Sequence, residues 1–283
     1  MSKIKIVTDS TADLPLDLIK QYDITVVPLA VNFGSTSYLE GTEISPKDFY
    51  TKLSASEILP TTSQPSPGDF ATVFKELAEN GAEEIVSIHL SSKLSGTYQS
   101  ALLGKSMLAD SIKVNVFDSQ VVTMGLGLIV IAAARAAKEG NNIEEISRII
   151  TDLQSKMNIF FVVDTLEYLQ KGGRIGKASS VMGALLNIKP ILTLADGEVH
   201  PYEKVRGKGK ALERLIEIAN TNIPSDQKIQ CAIVHSSCLD TALKLHEKVL
   251  EQFNCTEIFI SDIGAVVGTH VGPGTIALIF YII

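Results

Sequence analysis

The chain has 283 residues, with 25 Lys and Arg against 32 Asp and Glu for a net charge of −7, 45% hydrophobic residues and no Trp. A single core stops growing near this length, so one or two domains are expected, with two favoured. The composition excludes a disordered, collagen-like or disulfide-stapled chain; the acidic balance disfavours broad nucleic-acid binding, and an aromatic content of 6% disfavours a stacking platform for single strands.

Three segments of the first half repeat one theme. A β-branched run ends in small polar residues, and a helical pattern follows. Ile4–Val7 leads through Thr8-Asp9-Ser10-Thr11 into Leu14–Ile19. A further strand is predicted over Thr25–Val31, and a Pro/Ser/Thr loop over Thr61–Pro67, with Ser66 as N-cap and Pro67 at the first helical position. Ile85–Leu90 leads through Ser91–Thr97 into a helix from Tyr98. Val114–Phe117 leads through Asp118-Ser119 into the uncharged run Ser119–Ala134. That run is short of the ~20 residues a bilayer requires, so it predicts a buried helix. Strands alternating with helices predict a parallel sheet, whose polar clusters converge at the edge where open α/β sheets bind ligands.

From about Asn158 the pattern changes. Ile159–Val163 predicts a strand, followed by a helix ending at Gly172-Gly173 and a short helix over Ala178–Leu186. Lys189–Leu194 and Val199–Tyr202 predict a hairpin about Asp196-Gly197. Strands follow at Ile229–Val234, Glu257–Ser261 and Thr275–Ile283, with helical spacing at Lys210–Ala219 and Leu239–Phe253. The expected organisation is an α/β chain. Residues 1–157 form a three-layer α/β/α domain with a parallel sheet. Residues 158–283 form a two-layer α/β domain with a mixed sheet.

The polar clusters carry the candidate chemistry. Leu94-Ser95-Gly96-Thr97 sits where a strand turns into a helix; Gly96 lets a ligand approach the backbone, and helix-start N–H groups attract an anion. The blander alternative is that Ser95 only caps the helix. Thr62-Ser63-Gln64-Pro65-Ser66 offers neutral donors suited to a carboxylate, although most such loops are turns. Arg174, framed by Gly172, Gly173 and Gly176, is a planar partner for carboxylate or phosphate, or a solvated cap. His270, in the Gly/Pro-framed turn His270–Gly274, is a donor to an anion, a group titrating near neutrality, or a structural ring. Lys204, Arg206, Lys208 and Lys210 form a basic cluster, either a docking patch or a solvated helix start.

No P-loop, complete dinucleotide fingerprint, nucleophile elbow or metal-ligand pattern is present in the sequence. Cys231, Cys238 and Cys255 fit no zinc spacing and read as reduced thiols. No secretory signal follows Met1. A cytoplasmic protein is expected.

Thr8–Thr11, Thr62–Ser66, Leu94–Tyr98, Phe117–Ser119, Gly172–Ile175 and His270–Gly274, in that order over residues 4 to 283, resemble the DegV family, the fatty-acid-binding subunits of bacterial fatty acid kinase. Met124 departs from the family pattern. The resemblance implies a two-domain fold holding a long-chain fatty acid between the domains. Thr62 and Ser95 would hold the carboxyl group, Arg174 and His270 would lie close to it, and Ser63, Gly96 and Ser119 are further candidate contacts. The segment around Arg206 would face the kinase subunit, which phosphorylates the bound fatty acid to an acyl phosphate for phospholipid synthesis. The chain itself would carry no catalytic residues, no cofactor and no metal. Candidate tunnel-lining residues are Phe160, Phe161, Met182, Leu185, Leu186 and Ile188. The competing expectation is a lipid hydrolase or acyltransferase with Ser95 as nucleophile, His270 as base and Asp9 or Asp118 as acid. A transcriptional or purely structural role is disfavoured by the acidic charge and the missing DNA-reading motif.

Overall fold

The computed structural model describes residues 3–183 and 188–283. In chain order the first part comprises β1 (Ile4–Asp9), α1 (Leu16–Tyr22), β2 (Thr25–Val27), β3 (Ala30–Phe33), β4 (Thr36–Leu39), α2 (Pro46–Ala55), β5 (Thr61–Ser63), α3 (Pro67–Glu79), β6 (Glu84–His89), α4 (Thr97–Ser106), β7 (Lys113–Asp118), α5 (Met124–Glu139) and α6 (Ile143–Lys156). The second part comprises β8 (Asn158–Val162), α7 (Glu167–Lys171), β9 (Ile188–Ala195), β10 (Glu198–Arg206), α8 (Lys208–Asn222), β11 (Lys228–His235), α9 (Leu239–Gln252), β12 (Asn254–Asp262), α10 (Ala265–Val271) and β13 (Ile276–Ile282).

The expected parallel sheet is present, in the order β2-β1-β6-β7. Val7 and Ile85 face Phe70 and Phe74 of α3 and Ala101 of α4. Ile6, Val86 and Ile88 face the opposite way, into the cluster that holds α5. Helices therefore cover both faces, as parallel strands require. The second part carries a mixed sheet in the order β10-β9-β8-β13-β11-β12, in which only β11 and β12 run parallel. On one face Phe160, Val162, Cys231, Leu278 and Phe280 pack on α8 and α9. On the other, Ile159, Phe161, Val234, Ala277 and Ile279 join the cluster around α5.

α5 thus lies between the two sheets, and its sequence explains how. Two glycines thin it on opposite sides. A Cβ on Gly125 would come within 2.7 Å of Ile159 Cδ1, and one on Gly127 within 2.7 Å of Ala12 O. The uncharged run is buried as predicted, but the helix begins only at Met124. Residues 119–123 form a loop instead, ending at Thr123 with φ +52°. A β-branched residue rarely adopts that conformation.

Several expectations are corrected in detail. Thr25–Val31 is two strands, because Pro28 and Leu29 interrupt it. Its second part leaves the parallel sheet for a small antiparallel sheet ordered β4-β3-β5. Thr61–Ser63 is accordingly a short edge strand rather than a loop. Ser66 does cap α3, in a reciprocal capping box with Asp69 and with Pro67 at its start. His270 lies in the last turn of α10, and the turn follows it, with Gly272 at φ +71°. Gly176–Val181 forms a 3-10 helix that ends at Met182, and residues 184–186 of the stretch predicted as helical lie outside the described residues.

Candidate ligand-binding site

The polar clusters converge at the C-terminal edge of the parallel sheet, and Asp9 joins two of them. Its Oδ1 accepts hydrogen bonds from Thr11 N at 3.1 Å and Thr11 Oγ1 at 2.5 Å, and its Oδ2 lies 3.1 Å from Leu90 N and 3.0 Å from His89 Nδ1. The third cluster is tied in through the backbone, where Ser119 N donates to His89 O and Ser91 N to Val121 O. Between this edge and the inner face of the mixed sheet lies a cavity with an empty volume of about 930 Å³, its open mouth included.

The cavity wall is mostly apolar. Leu29, Leu90, Leu94 and Val122 come from the first part of the chain. The mixed sheet adds Ile159, Phe161, Leu194, Val199, Val234 and Ala277, and the chain around α10 adds Ile263, Val266, Val267 and Val271. Among the described residues the polar lining is Thr11, Thr62, Gln64, Ser95, Thr123, Arg174, His270 and Thr275, none of them a carboxylate.

Four sequence-predicted residues, Thr62, Ser95, Arg174 and His270, therefore face one space, although they come from β5, the start of α4, the loop after α7 and the end of α10. Thr62 Oγ1 and His270 Nε2 are 2.9 Å apart. His270 Nδ1 is buried without a hydrogen-bond partner. Burial, and secondarily the Arg174 guanidinium, pushes the imidazole down from 6.5 to about 4, so it is neutral near pH 7. A proton on Nδ1 would be an orphaned buried donor. The neutral ring therefore carries its proton on Nε2 and donates it to Thr62 Oγ1, which leaves the Thr62 hydroxyl hydrogen free. The ring fits only because residue 172 is glycine, since a Cβ there would collide with His270 Nδ1.

Arg174 is fixed without a counter-ion. Its Nε donates to Leu94 O at 3.0 Å and its Nη1 to Gly172 O at 2.7 Å. Among the described residues no carboxylate pairs with it. Ser95 Oγ lies 2.9 Å from Thr97 Oγ1 and 3.4 Å from Thr97 N, so it also supports the start of α4. Gly96 takes the N-cap position of that helix, and a Cβ there would strike the Gln64 side chain.

Other expected contacts are placed elsewhere. Ser63 Oγ accepts from Asn32 Nδ2 on the neighbouring strand, and Ser119 Oγ is buried between Val121 N and Val121 O; neither lines the cavity. Of the described tunnel candidates only Phe161 does. Successive strand residues point to opposite faces, so Phe160 turns away and packs on Tyr202 and Phe280. Met182 and Ile188 are not in the wall, and Leu185 and Leu186 lie outside the described residues. Arg206 and Lys204 are exposed on the edge strand β10, whereas Lys208 is drawn to Asp164 at 3.1 Å. Gln64 and Thr11 belong to the polar motifs, with nothing in the sequence to distinguish them from their neighbours. Thr123 and Thr275 carried no motif signal.

The hydrolase geometry is absent at Ser95. Asp9 is committed to His89, Asp118 accepts from Ser92 N and Gln120 N, and His270 is bonded to Thr62. A Ser–His–Asp relay does occur at Ser87, His89 and Asp9, with contacts of 2.7 and 3.0 Å, but all three residues are fully buried. No substrate reaches it, and it serves as a core hydrogen-bond chain.

The fold is thus an α/β fold with a mostly apolar cavity between its two larger sheets, and the polar lining of that cavity includes the Arg174 guanidinium. The family described as an uncharacterised protein, DegV family, matches residues 3–282. A DegV domain-containing protein of Halalkalibacterium halodurans is 44% identical over 282 residues, covering 100% of this chain and 99% of that protein. A DegV family protein of Thermus thermophilus, described as fatty acid binding, superposes with a TM-score of 0.94 at 37% identity, and DegV of Bacillus subtilis, described as a fatty acid binding protein, with 0.91 at 34%; each comparison covers 100% of both chains. The chain belongs to the DegV family.

Proposed function

We propose that this protein binds a long-chain fatty acid in the cavity, with the carboxyl group at Thr62, Ser95, Arg174 and His270, and presents it to a partner kinase for acyl-phosphate formation. The observation that carries the binding reading is the cavity's polarity: among the described residues, a mostly apolar wall whose one charged side chain, Arg174, has no carboxylate partner. Solved relatives bind fatty acids. Each buried methylene contributes ~0.8 kcal/mol, so about 15 of them give roughly 12 kcal/mol before association costs. The tail supplies affinity, and the head group requires orientation.

Presentation to a kinase is supported by a surface groove lined by Pro60, Thr61 and Lys171, which shares Thr62, Arg174 and His270 with the cavity. The carboxyl end therefore borders the outside. Arg206 on its exposed edge strand is the proposed docking residue. The protein acts in the cytoplasm on this reading, with domains 1–157 and 158–283 and no cofactor.

Solvent extraction and mass spectrometry of the purified protein test the binding. About one long-chain acid per chain is expected. A lipid-free preparation that also fails to take up added fatty acid overturns the reading. Thr62→Ala with Ser95→Ala tests the head-group site: lipid should still bind, while phosphotransfer by the kinase falls. Wild-type phosphotransfer at full occupancy would place the carboxyl elsewhere.

A further inference from the structure

Two of the three cysteines meet in the mixed sheet. Cys231 on β11 and Cys255 on β12 have their Sγ atoms 3.9 Å apart. Cys231 is fully buried, facing α8 and α9, while Cys255 is only partly covered. β12 is the outermost strand on its side of the sheet, and the pairing with β11 slips beside the pair, between Ile229 and Gln230. One partner is therefore near solvent on a strand held from one side, at a bulge where the ladder is locally disrupted. The third thiol, Cys238, points elsewhere, its Sγ contacting Thr275 O at 3.3 Å.

We propose that Cys231 and Cys255 are a peroxide-reactive pair that closes into an intrachain disulfide. The contact between the two sulfurs holds the Cys255 thiol below its ordinary range, while the same contact and burial push Cys231 up. Cys255, the less buried of the two sulfurs, is accordingly the one that meets the peroxide and reacts first, as its thiolate. It attacks one oxygen of a hydroperoxide, breaking the O–O bond, to give a sulfenic acid and, after protonation, an alcohol or water. Cys231 then attacks the sulfenic sulfur, the S–O bond breaks, and water leaves with the Cys231 proton. Two thiols are oxidised and one peroxide is reduced. The sulfurs must close from 3.9 Å to about 2 Å by rotation of the two side chains and adjustment at the bulge, since the strands are already hydrogen-bonded neighbours. The link would staple β12 to β11. β12 ends at Asp262, and the next residue, Ile263, begins the cavity wall contributed around α10.

The test is stoichiometric hydrogen peroxide on the full-length protein, followed by denaturation, alkylation and mass spectrometry. Wild-type protein should lose two of its three alkylatable thiols and two hydrogens of mass, with a Cys231–Cys255 crosslinked peptide and free Cys238. Cys231→Ser should instead accumulate a sulfenic acid on Cys255 that dimedone traps. Three alkylatable thiols after peroxide, or a crosslink that uses Cys238, overturns the proposal. The wild-type measurement decides it even where a variant fails to fold.

Discussion

Acidifying the ligand-free protein should charge His270 only near pH 4, and this has a calculable effect on stability. The folded ring titrates at about 4 against 6.5 for the free group, because it is buried and, secondarily, because the Arg174 guanidinium repels its proton. Between those values the unfolded chain holds the proton and the folded chain does not. Stability therefore falls as pH drops through this window and is unaffected above it. At about 1.4 kcal/mol per pH unit, the depressed value corresponds to about 3 kcal/mol lost by pH 4. Glu40 and Asp13, whose buried carboxyls are raised, act with the opposite sign, so the contribution must be isolated by difference. His270→Asn keeps a neutral partner for Thr62 at every pH. The assay is chemical denaturation of both proteins across a pH series, with an NMR titration of the ring. The wild type should lose about 3 kcal/mol relative to the variant between pH 6.5 and 4. Parallel pH profiles, or a ring midpoint near 6.5, would refute the placement of a neutral imidazole beside a guanidinium.

Glu40, buried and pushed up to about 7, accepts a hydrogen bond from Val266 N at 2.7 Å. Glu40→Gln keeps that acceptor, and its stability relative to wild type should rise by roughly 1–3 kcal/mol as pH increases from 4.5 through 7, read by urea denaturation. Gly172→Ala should drive the His270 ring off Thr62 and cost roughly 1–3 kcal/mol, with a changed His270 signal in the NMR spectrum. Arg135 makes a bidentate pair with Glu257, both contacts at 2.6 Å, and a bond to Tyr22 Oη, tying α5 to β12 and α1. The pair is partly exposed, so Arg135→Ala should cost only about 1 kcal/mol, less at high salt, in the same assay.

The polar end of the site was legible in the sequence because its residues sit in short polar or glycine-rich motifs. Ser95 and Arg174 stand beside glycines, and Thr62 and Ser95 in runs of hydroxyl-bearing residues, which mark turns and helix starts whatever the tertiary structure. The apolar wall was not legible. Both faces of β8 are buried, so Ile159 and Phe161 are chemically indistinguishable from Phe160 and Val162, which face α8 and α9. α10 was missed for a different reason. Val, Gly and Thr are weak helix formers, and its start is fixed from afar: Asp13 Oδ1 accepts from Gly264 N and Glu40 Oε1 from Val266 N. The slip of β3 into a separate sheet had a local signal in Pro28, and that displacement puts Thr62 on a strand opposite Val31 rather than in a loop.

The site is divided between the two halves of the chain, which bears on what a ligand does to the whole. Thr62 and Ser95 belong to segments before α5, and Arg174 and His270 to segments after β8. A carboxylate among them touches both halves, and an acyl chain along Phe161, Val234 and Leu90 does so again. The unfolded chain holds none of these groups together, so a ligand that binds the folded form alone stabilises it by RT ln(1 + [L]/Kd), about 2.7 kcal/mol at a hundredfold excess over Kd. Long-chain fatty acid added to lipid-free protein should therefore raise the unfolding midpoint in proportion to the logarithm of its concentration. Thr62→Ala with Ser95→Ala loosens only the head group. The tail still spans both sheets, so the double variant should keep the same dependence, displaced to higher ligand concentration. A fatty acid that leaves the midpoint unmoved in the wild type, at concentrations where extraction finds it bound, would mean that it sits on the surface and not between the halves.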